Sequence, residues 1–516
     1  MKNISILLIT IIMLNAIGCK EEASLNTKTE EQMYRPNLHF TPHKNWMNDP
    51  NGMFYLDGLF HLYFQHNPKD NVWGPMHWGH AISRDGVQWE EQPIALYPDE
   101  NGTIFSGSAV VDHQNTSGFG TVENPPIVAI FTSHSHEKEK AGRIDYETQS
   151  IAYSLDQGMT WTKYERNPVI ANPGIKDFRD PKVFWYEDTQ QWILVLAAGQ
   201  EVQFYSSPNL KEWTKTTVFG QGKGNHKGVW ECPDLFPLPV VGTDIKKWVL
   251  LVSINPGGPN GGSATQYFVG DFDGKNFLID SGFNTQMEKE HSFWVDFGRD
   301  NYAGVTYNNI ETPKGERLFQ GWMSNWQYAS KVPTTKWRSA MTLIRKLALK
   351  PLQDSYHLVA TPYISKSSSP TFTRNNIEAV ESPQNIMSRE NVSFTATQIS
   401  FEWEGENFEW SFSNGEKEEL KVGYNFVKNS YYINRLKAGK NNFSDQFAPH
   451  VSSAPKKNTN SKIKGTMILD KTSIEVFFDD GLTVFSEIFF LKAPFETLTL
   501  SGVGSIQNLE AFELAN

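Results

Sequence analysis

At 516 residues the chain is too long for a single hydrophobic core, and two domains are the natural expectation. Its 47 basic residues face 58 acidic ones, a net charge of −11 that argues against a nucleic-acid or anionic-membrane partner. Sixteen Trp and 34 Phe serve strand packing first, and are ample for stacking on sugar rings as well.

The first residues read as an address rather than as structure. Lys2 precedes an apolar run, Ile4 to Leu14, interrupted only by Ser5 and Thr10 and too short to cross a bilayer. It ends in Ala16-Ile17-Gly18-Cys19, which resembles a lipoprotein cleavage box with Cys19 as the lipidated residue. Residues 1–18 are then an export signal and 19–36 a tether, whose Lys20-Glu21-Glu22 resembles the acidic address of surface-displayed lipoproteins. The expected location is the outer membrane, facing outward, with a periplasm-facing anchor as the alternative. Only Cys232 remains beyond Cys19, so the mature chain has no partner for an intramolecular disulfide. No His/Cys cluster has zinc spacing; His134 and His136 come nearest and read as surface-loop residues, so neither metal nor cofactor is expected.

From residue 37 the chain alternates short strand-like runs with polar turns. MFYLDGLFHLYFQ, PIVAIFTS, WILVLAA, KWVLLVSI and RLFQGWMS are rich in β-branched and aromatic residues. A turn motif recurs between them: Ser83-Arg84-Asp85-Gly86 closing on Trp89, Ser154-Leu155-Asp156-Gln157-Gly158 on Trp161, then more weakly on Trp213 and Phe277. Several strands per period of this size predict an all-β propeller, with five units starting near Asn48, Ser106, Arg179, Trp230 and Phe293. The propeller is expected to span 37–352 and a linker 353–372, the latter including the Ser/Pro stretch ISKSSSPTF. Beyond it, 373–516 reads as short antiparallel strands with Asp480-Gly481 as a hairpin signal and no helical period, a β-sandwich.

Three stretches carry acids in one local setting: Asp49 in NWMNDPNG, Asp180 in FRDPKVFW and Glu231 in WECPDLF. Each acid opens an apolar run and has a proline one or two residues later, which suits the start of a strand because proline cannot donate to a ladder. Strands radiating from one axis would bring the three together, although 182 residues separate the outer pair. Converging carboxylates are the equipment of glycoside cleavage. Arg179, next to Asp180, is expected to hold that acid ionised. Cys232, beside the acid, reads as a buried neutral thiol.

These motifs, with FSGSAV at 105–110, TQYFVGDFDG at 265–274, GWMSNWQYA at 321–329, WRSAMT at 337–342, YYINR at 431–435 and SIEVFF at 473–478, resemble glycoside hydrolase family 32, the retaining β-fructosidases. The resemblance runs from about Asn37 to the C-terminus. It implies a five-bladed propeller with an appended sandwich, Asp49 as nucleophile, Glu231 as acid/base and Asp180 as transition-state stabiliser. By the same token Asn48, Gln65, Trp73, Phe105, Ser106, Arg179 and Trp322 would contact a terminal fructose. Ile344-Arg345-Lys346-Leu347 departs from the family, whose members usually carry a proline and a glutamate around the arginine. The implied substrates are levan, inulin and sucrose, attacked from chain ends with release of fructose. Endo attack, fructosyl transfer, an inverting hydrolase of arabinan or xylan, and a non-catalytic surface glycan binder stand as alternatives.

Overall fold

The computed structural model describes residues 31–310 and 312–514; the export signal, Cys19 and the acidic address lie outside the described residues. Five antiparallel meanders of four strands surround one axis. Their innermost strands are Asn45–Leu56, Thr103–Val111, Phe178–Tyr186, Val229–Pro239 and Tyr302–Thr306, and the outermost strand of the fifth blade is Ser355–Pro362. The ring closes where Trp337–Arg338, which follows the second strand of the fifth blade, pairs in parallel with Asn45 and Trp46 of the first.

The repeated turn motif joins the third and fourth strands of the first three blades. In each, a serine hydroxyl accepts from a backbone N–H of the turn: Gly86 to Ser83 at 2.9 Å, Gly158 to Ser154 at 2.9 Å, Asn209 to Ser207 at 3.1 Å. Each closing tryptophan donates its indole N–H back to the turn, to the carbonyl of Gly86, Gly158 or Leu210. That carbonyl-bearing residue is left-handed, with φ of +76° at Gly86 and +88° at Gly158, where glycine fits without strain. In the third blade the same conformation falls on Leu210 at +64°, the less favourable choice.

All five innermost strands carry one extra residue near the axis. Between Met47 and Pro50, Ile104 and Gly107, Arg179 and Lys182, Glu231 and Asp234, and Tyr302 and Val305, three steps face two on the neighbouring strand. Such bulges leave a residue unpaired and re-aim side chains. Pro50, Pro181 and Pro233 lie in or beside them, where a missing N–H is least costly.

Three boundaries differ from expectation. Ser355–Pro362 pairs along its length with Arg345–Leu352, so the blade extends to 362 and the connection begins only there; continuous pairing and the buried run His357 to Ala360 make it a strand, not a linker. Tyr34 packs on Phe490 at 5.5 Å and Arg35 lies over Trp337 at 4.0 Å, so part of the tether is docked on the body. The fifth blade starts at Tyr302 rather than near Phe293. The stretch before it is a strap along the sandwich strand Thr483–Ile488: Phe297 N–H donates to Val484 O at 2.8 Å and Asp300 N–H to Ser486 O at 3.1 Å. Gly298 is required there, since a Cβ would meet Ser486 O at 2.1 Å.

The sandwich is a ten-stranded antiparallel assembly in which Ala396–Ser413 and Thr497–Glu513 pair over their length. Trp403, Trp410, Phe408 and Phe478 fill its core. Between it and the propeller lies a buried charged cluster. Arg345, the arginine whose flanks depart from the family, pairs with Asp296 at 2.8 Å and Glu475 at 2.5 Å, and Arg435 with Asp300 at 2.6 Å. Removing one partner of such a pair costs about 3–5 kcal/mol, because the other charge is left buried.

His39 joins the cluster, its ring nitrogens 2.8 Å from Asp470 and 3.0 Å from Glu475. Burial alone would lower the imidazole pKa, but these two carboxylates outweigh it and push it up to about 9. A folded value above the unfolded one gives stability that is full below about pH 6.5 and lost as pH rises through 9. Chemical unfolding should therefore show stability falling between these values, and His39→Gln should remove that slope while lowering stability at pH 6.

Candidate active site

The bulged ends of the inner strands frame a cavity of about 310 Å³. Asn48, Asp49, Gln65, Trp73, Phe105, Ser106, Arg179, Asp180 and Glu231 all line it. The three acids thus converge, but not from matching positions. Relative to the bulge, Glu231 is the last paired residue, Asp180 the next and Asp49 the one after that. The positions equivalent to Glu231 in the third and fifth blades hold Arg179 and Tyr302, and both bind Glu231.

Asp49 Oδ2 accepts from Ser106 Oγ at 2.7 Å and Oδ1 from Asn48 Nδ2 at 3.0 Å, while Asn48 Oδ1 accepts from the Trp46 indole at 2.7 Å. Gln65 donates to Asn51 Oδ1 at 2.8 Å and to Ile104 O at 3.0 Å, which fixes the amide at the cavity wall. Asp180 Oδ2 accepts from Cys232 N–H at 3.0 Å, and its own N–H donates to Thr132 Oγ1 at 3.0 Å. Glu231 Oε1 takes Arg179 Nη2 at 3.0 Å and Nε at 3.3 Å, and Tyr302 donates its hydroxyl to Oε2.

Arg179 gives its hydrogen bonds to carboxylates other than its sequence neighbour. Its fork reaches Glu231, Asp177 at 2.8 Å and Glu147 at 3.1 Å. Burial, with the charges of Glu231 and Asp49, pushes the Asp180 carboxyl up to about 8 against the pull of Arg179. This corrects the expectation of an ionised Asp180. Asp49 is raised too, by burial and then by Glu231. Burial and mutual repulsion among these crowded acids therefore favour the protonated form of Asp180.

Trp322 is fully buried, packed on Trp326 at 5.0 Å and Trp46 at 6.1 Å, and does not reach the cavity. Trp326 lines it instead. The two lie in one motif, but Trp322 is in a strand facing the core and Trp326 follows the strand end. Sequence reasoning also missed Tyr146, Glu147, Asp177 and Glu139, which line the cavity; of these only Asp177 adjoins a motif, FRDP. His134 is no surface-loop residue: it ends a strand, is buried and stacks on Phe105 at 4.2 Å with rings 10° apart.

Three carboxyls from three blades, one guanidinium, and amides and hydroxyls around one small cavity define the site of a glycoside hydrolase. The pattern described as "Glycosyl hydrolases family 32 N-terminal domain" matches residues 39–362 and "Glycosyl hydrolases family 32 C terminal" matches 364–513. The chain belongs to glycosyl hydrolase family 32. It is 47% identical to a levanase of Bacillus subtilis, over 89% of this chain and 66% of that protein. It is 39% identical to an extracellular exo-inulinase of Aspergillus niger, over 88% of this chain and 89% of that one. The crystal structure of the exo-inulinase from Aspergillus awamori superposes with a TM-score of 0.86 at 35% identity, covering 94% of this chain and 99% of that one.

Cys232 is buried, with its sulfur 3.5 Å from Asp180 and 3.8 Å from Asp49. Burial and the neighbouring carboxyls push its thiol well above the ordinary value, so it is neutral and shielded. Iodoacetamide at pH 7.5 should leave Cys232 unmodified in the native enzyme and label it after unfolding, as read by peptide mass.

Proposed function

We propose that the enzyme is a retaining β-fructofuranosidase that removes fructose from the ends of β-fructans such as levan and inulin. The observation that carries this reading is the convergence of Asp49, Asp180 and Glu231 in one cavity walled by Asn48, Gln65, Ser106 and Trp326. The names of its relatives, a levanase and exo-inulinases, support the substrate class.

In this reading Asp49, held by Ser106 and Asn48, attacks the anomeric carbon while Glu231 protonates the departing oxygen. A covalent fructosyl-enzyme forms, and Glu231 then takes a proton from the water that releases the sugar. Asp180 receives two furanose hydroxyls. Their hydrogen bonds favour its ionised form. Asp49→Ala should fold normally and lower kcat by more than about 10³-fold, and Glu231→Ala by about 10²–10⁴-fold. An Asp49→Ala enzyme with a tenth of wild-type activity overturns the assignment.

The exo mode rests on cavity size. About 310 Å³ is at the small end for ligand sites and suits a ring or two. Polar groups arranged for a terminal ring are left unpaired by an internal one, which penalises endo attack. Chromatography of the first products from levan and inulin should show fructose alone, and proton NMR should show the β-anomer formed first. A ladder of oligosaccharides at first turnover indicates endo attack.

Export and anchoring through Cys19 complete the proposal, on the strength of the apolar run and cleavage box in residues 4–19. Protease added to intact cells should remove the enzyme, and Cys19→Ala should release it from the membrane fraction.

A further inference from the structure

Beside the catalytic acids, the end of the strand Ile127–His134 and the short helix His136–Lys140 bring three ligand atoms together. His134 Nε2 is 3.0 Å from Glu139 Oε2, His136 Nδ1 is 3.7 Å from the same oxygen, and all three atoms lie within 4.8 Å of one another. Ligands of a tetrahedral zinc ion with bonds of about 2.0–2.1 Å stand about 3.3 Å apart. The remaining nitrogen of each ring already has a partner. His134 Nδ1 faces Glu147 Oε1 at 3.3 Å, and His136 Nε2 faces Thr103 Oγ1 at 3.4 Å. A metal-bound histidine characteristically donates its other N–H to a carboxylate or another oxygen, which fixes ring and tautomer.

From these distances we infer that His134, His136 and Glu139 form a binding site for a zinc-type divalent ion, and that the ion inhibits hydrolysis. Two imidazoles and one carboxylate select zinc, copper or nickel over magnesium and calcium, which take oxygen ligands. Inhibition follows from place. His134 and Glu139 line the catalytic cavity, so the open coordination positions of the ion face the space that the departing sugar needs. The same histidine also leads, through Glu147 and then Arg179, to Glu231. His136 lies behind Trp73, at 5.9 Å between ring centres.

Calorimetric titration of the full-length enzyme with zinc chloride, without fructan, reads binding independently of the proposed activity. One site is expected, unaffected by millimolar magnesium and weakened at least about 10-fold in His136→Ala. Cobalt(II) bound there should give the visible absorption of a tetrahedral site, absent in the variant. Zinc at saturation should suppress fructan hydrolysis in the wild type, a chelator should restore it, and His136→Ala should resist that concentration relative to its own metal-free rate. Equal affinity in wild type and His136→Ala overturns the site. Saturation of the site with hydrolysis undiminished overturns the inhibition.

Discussion

Closing five blades around one axis forces the inner strands together at one end, where their own ladders cannot continue undisturbed. Each strand relieves this with an extra residue, and the backbone and side-chain groups freed there are taken up by neighbouring blades. Cys232 N–H bonds Asp180, Asp180 N–H bonds Thr132, and Thr306 N–H bonds Asp234 at 2.6 Å. The acids are therefore part of the ring closure as well as of the cavity wall. A carboxylate placed at a bulge both satisfies a donor of the next blade and presents an oxygen to the cavity.

The cost of that placement is electrostatic. Asp49, Asp180, Glu231, Glu147 and Asp177 crowd the cavity, with Arg179 as the guanidinium among them. Its fork is spent on three of them, and Asp180 is left to keep a proton. One layer deeper, past the bulges, Lys182 and Asp234 form a buried pair at 3.3 Å, with Thr306 bonded to both. Lys182 follows Asp180 by two positions and Asp234 follows Glu231 by three, so this pair ties together the strands that present the two acids. A misfit there would move the carboxyls that the two strands present to the cavity.

The sandwich holds the ring from outside. Its strand Thr483–Ile488 carries the strap that leads into Tyr302, and Arg345 in the fifth blade reaches Glu475 across the boundary. The Tyr302 hydroxyl lies on Glu231, so the interface and the site share one stretch of chain. A large buried ionic contact of this kind resists relative domain motion better than an exposed one, because either charge alone would be stranded.

The sequence by itself determined the strand runs, the turn motif of Ser83, Ser154 and Ser207, the number of blades, and the identities of Asp49, Asp180 and Glu231. These are local: a strand declares itself by side-chain type, a turn by its serine and glycine, and a proline by its missing N–H. Only the tertiary structure decided which way each acid points, because a bulge shifts side-chain direction by one residue and its offset differs among the three strands. The same reason separates Trp326 from Trp322, and the true start of the fifth blade from the strap before it. The charge states were equally out of reach. Arg179 is adjacent to Asp180 in the chain, yet its guanidinium is bound to Glu231, Glu147 and Asp177, since Coulomb energy depends on distance through space and on burial rather than on order along the backbone.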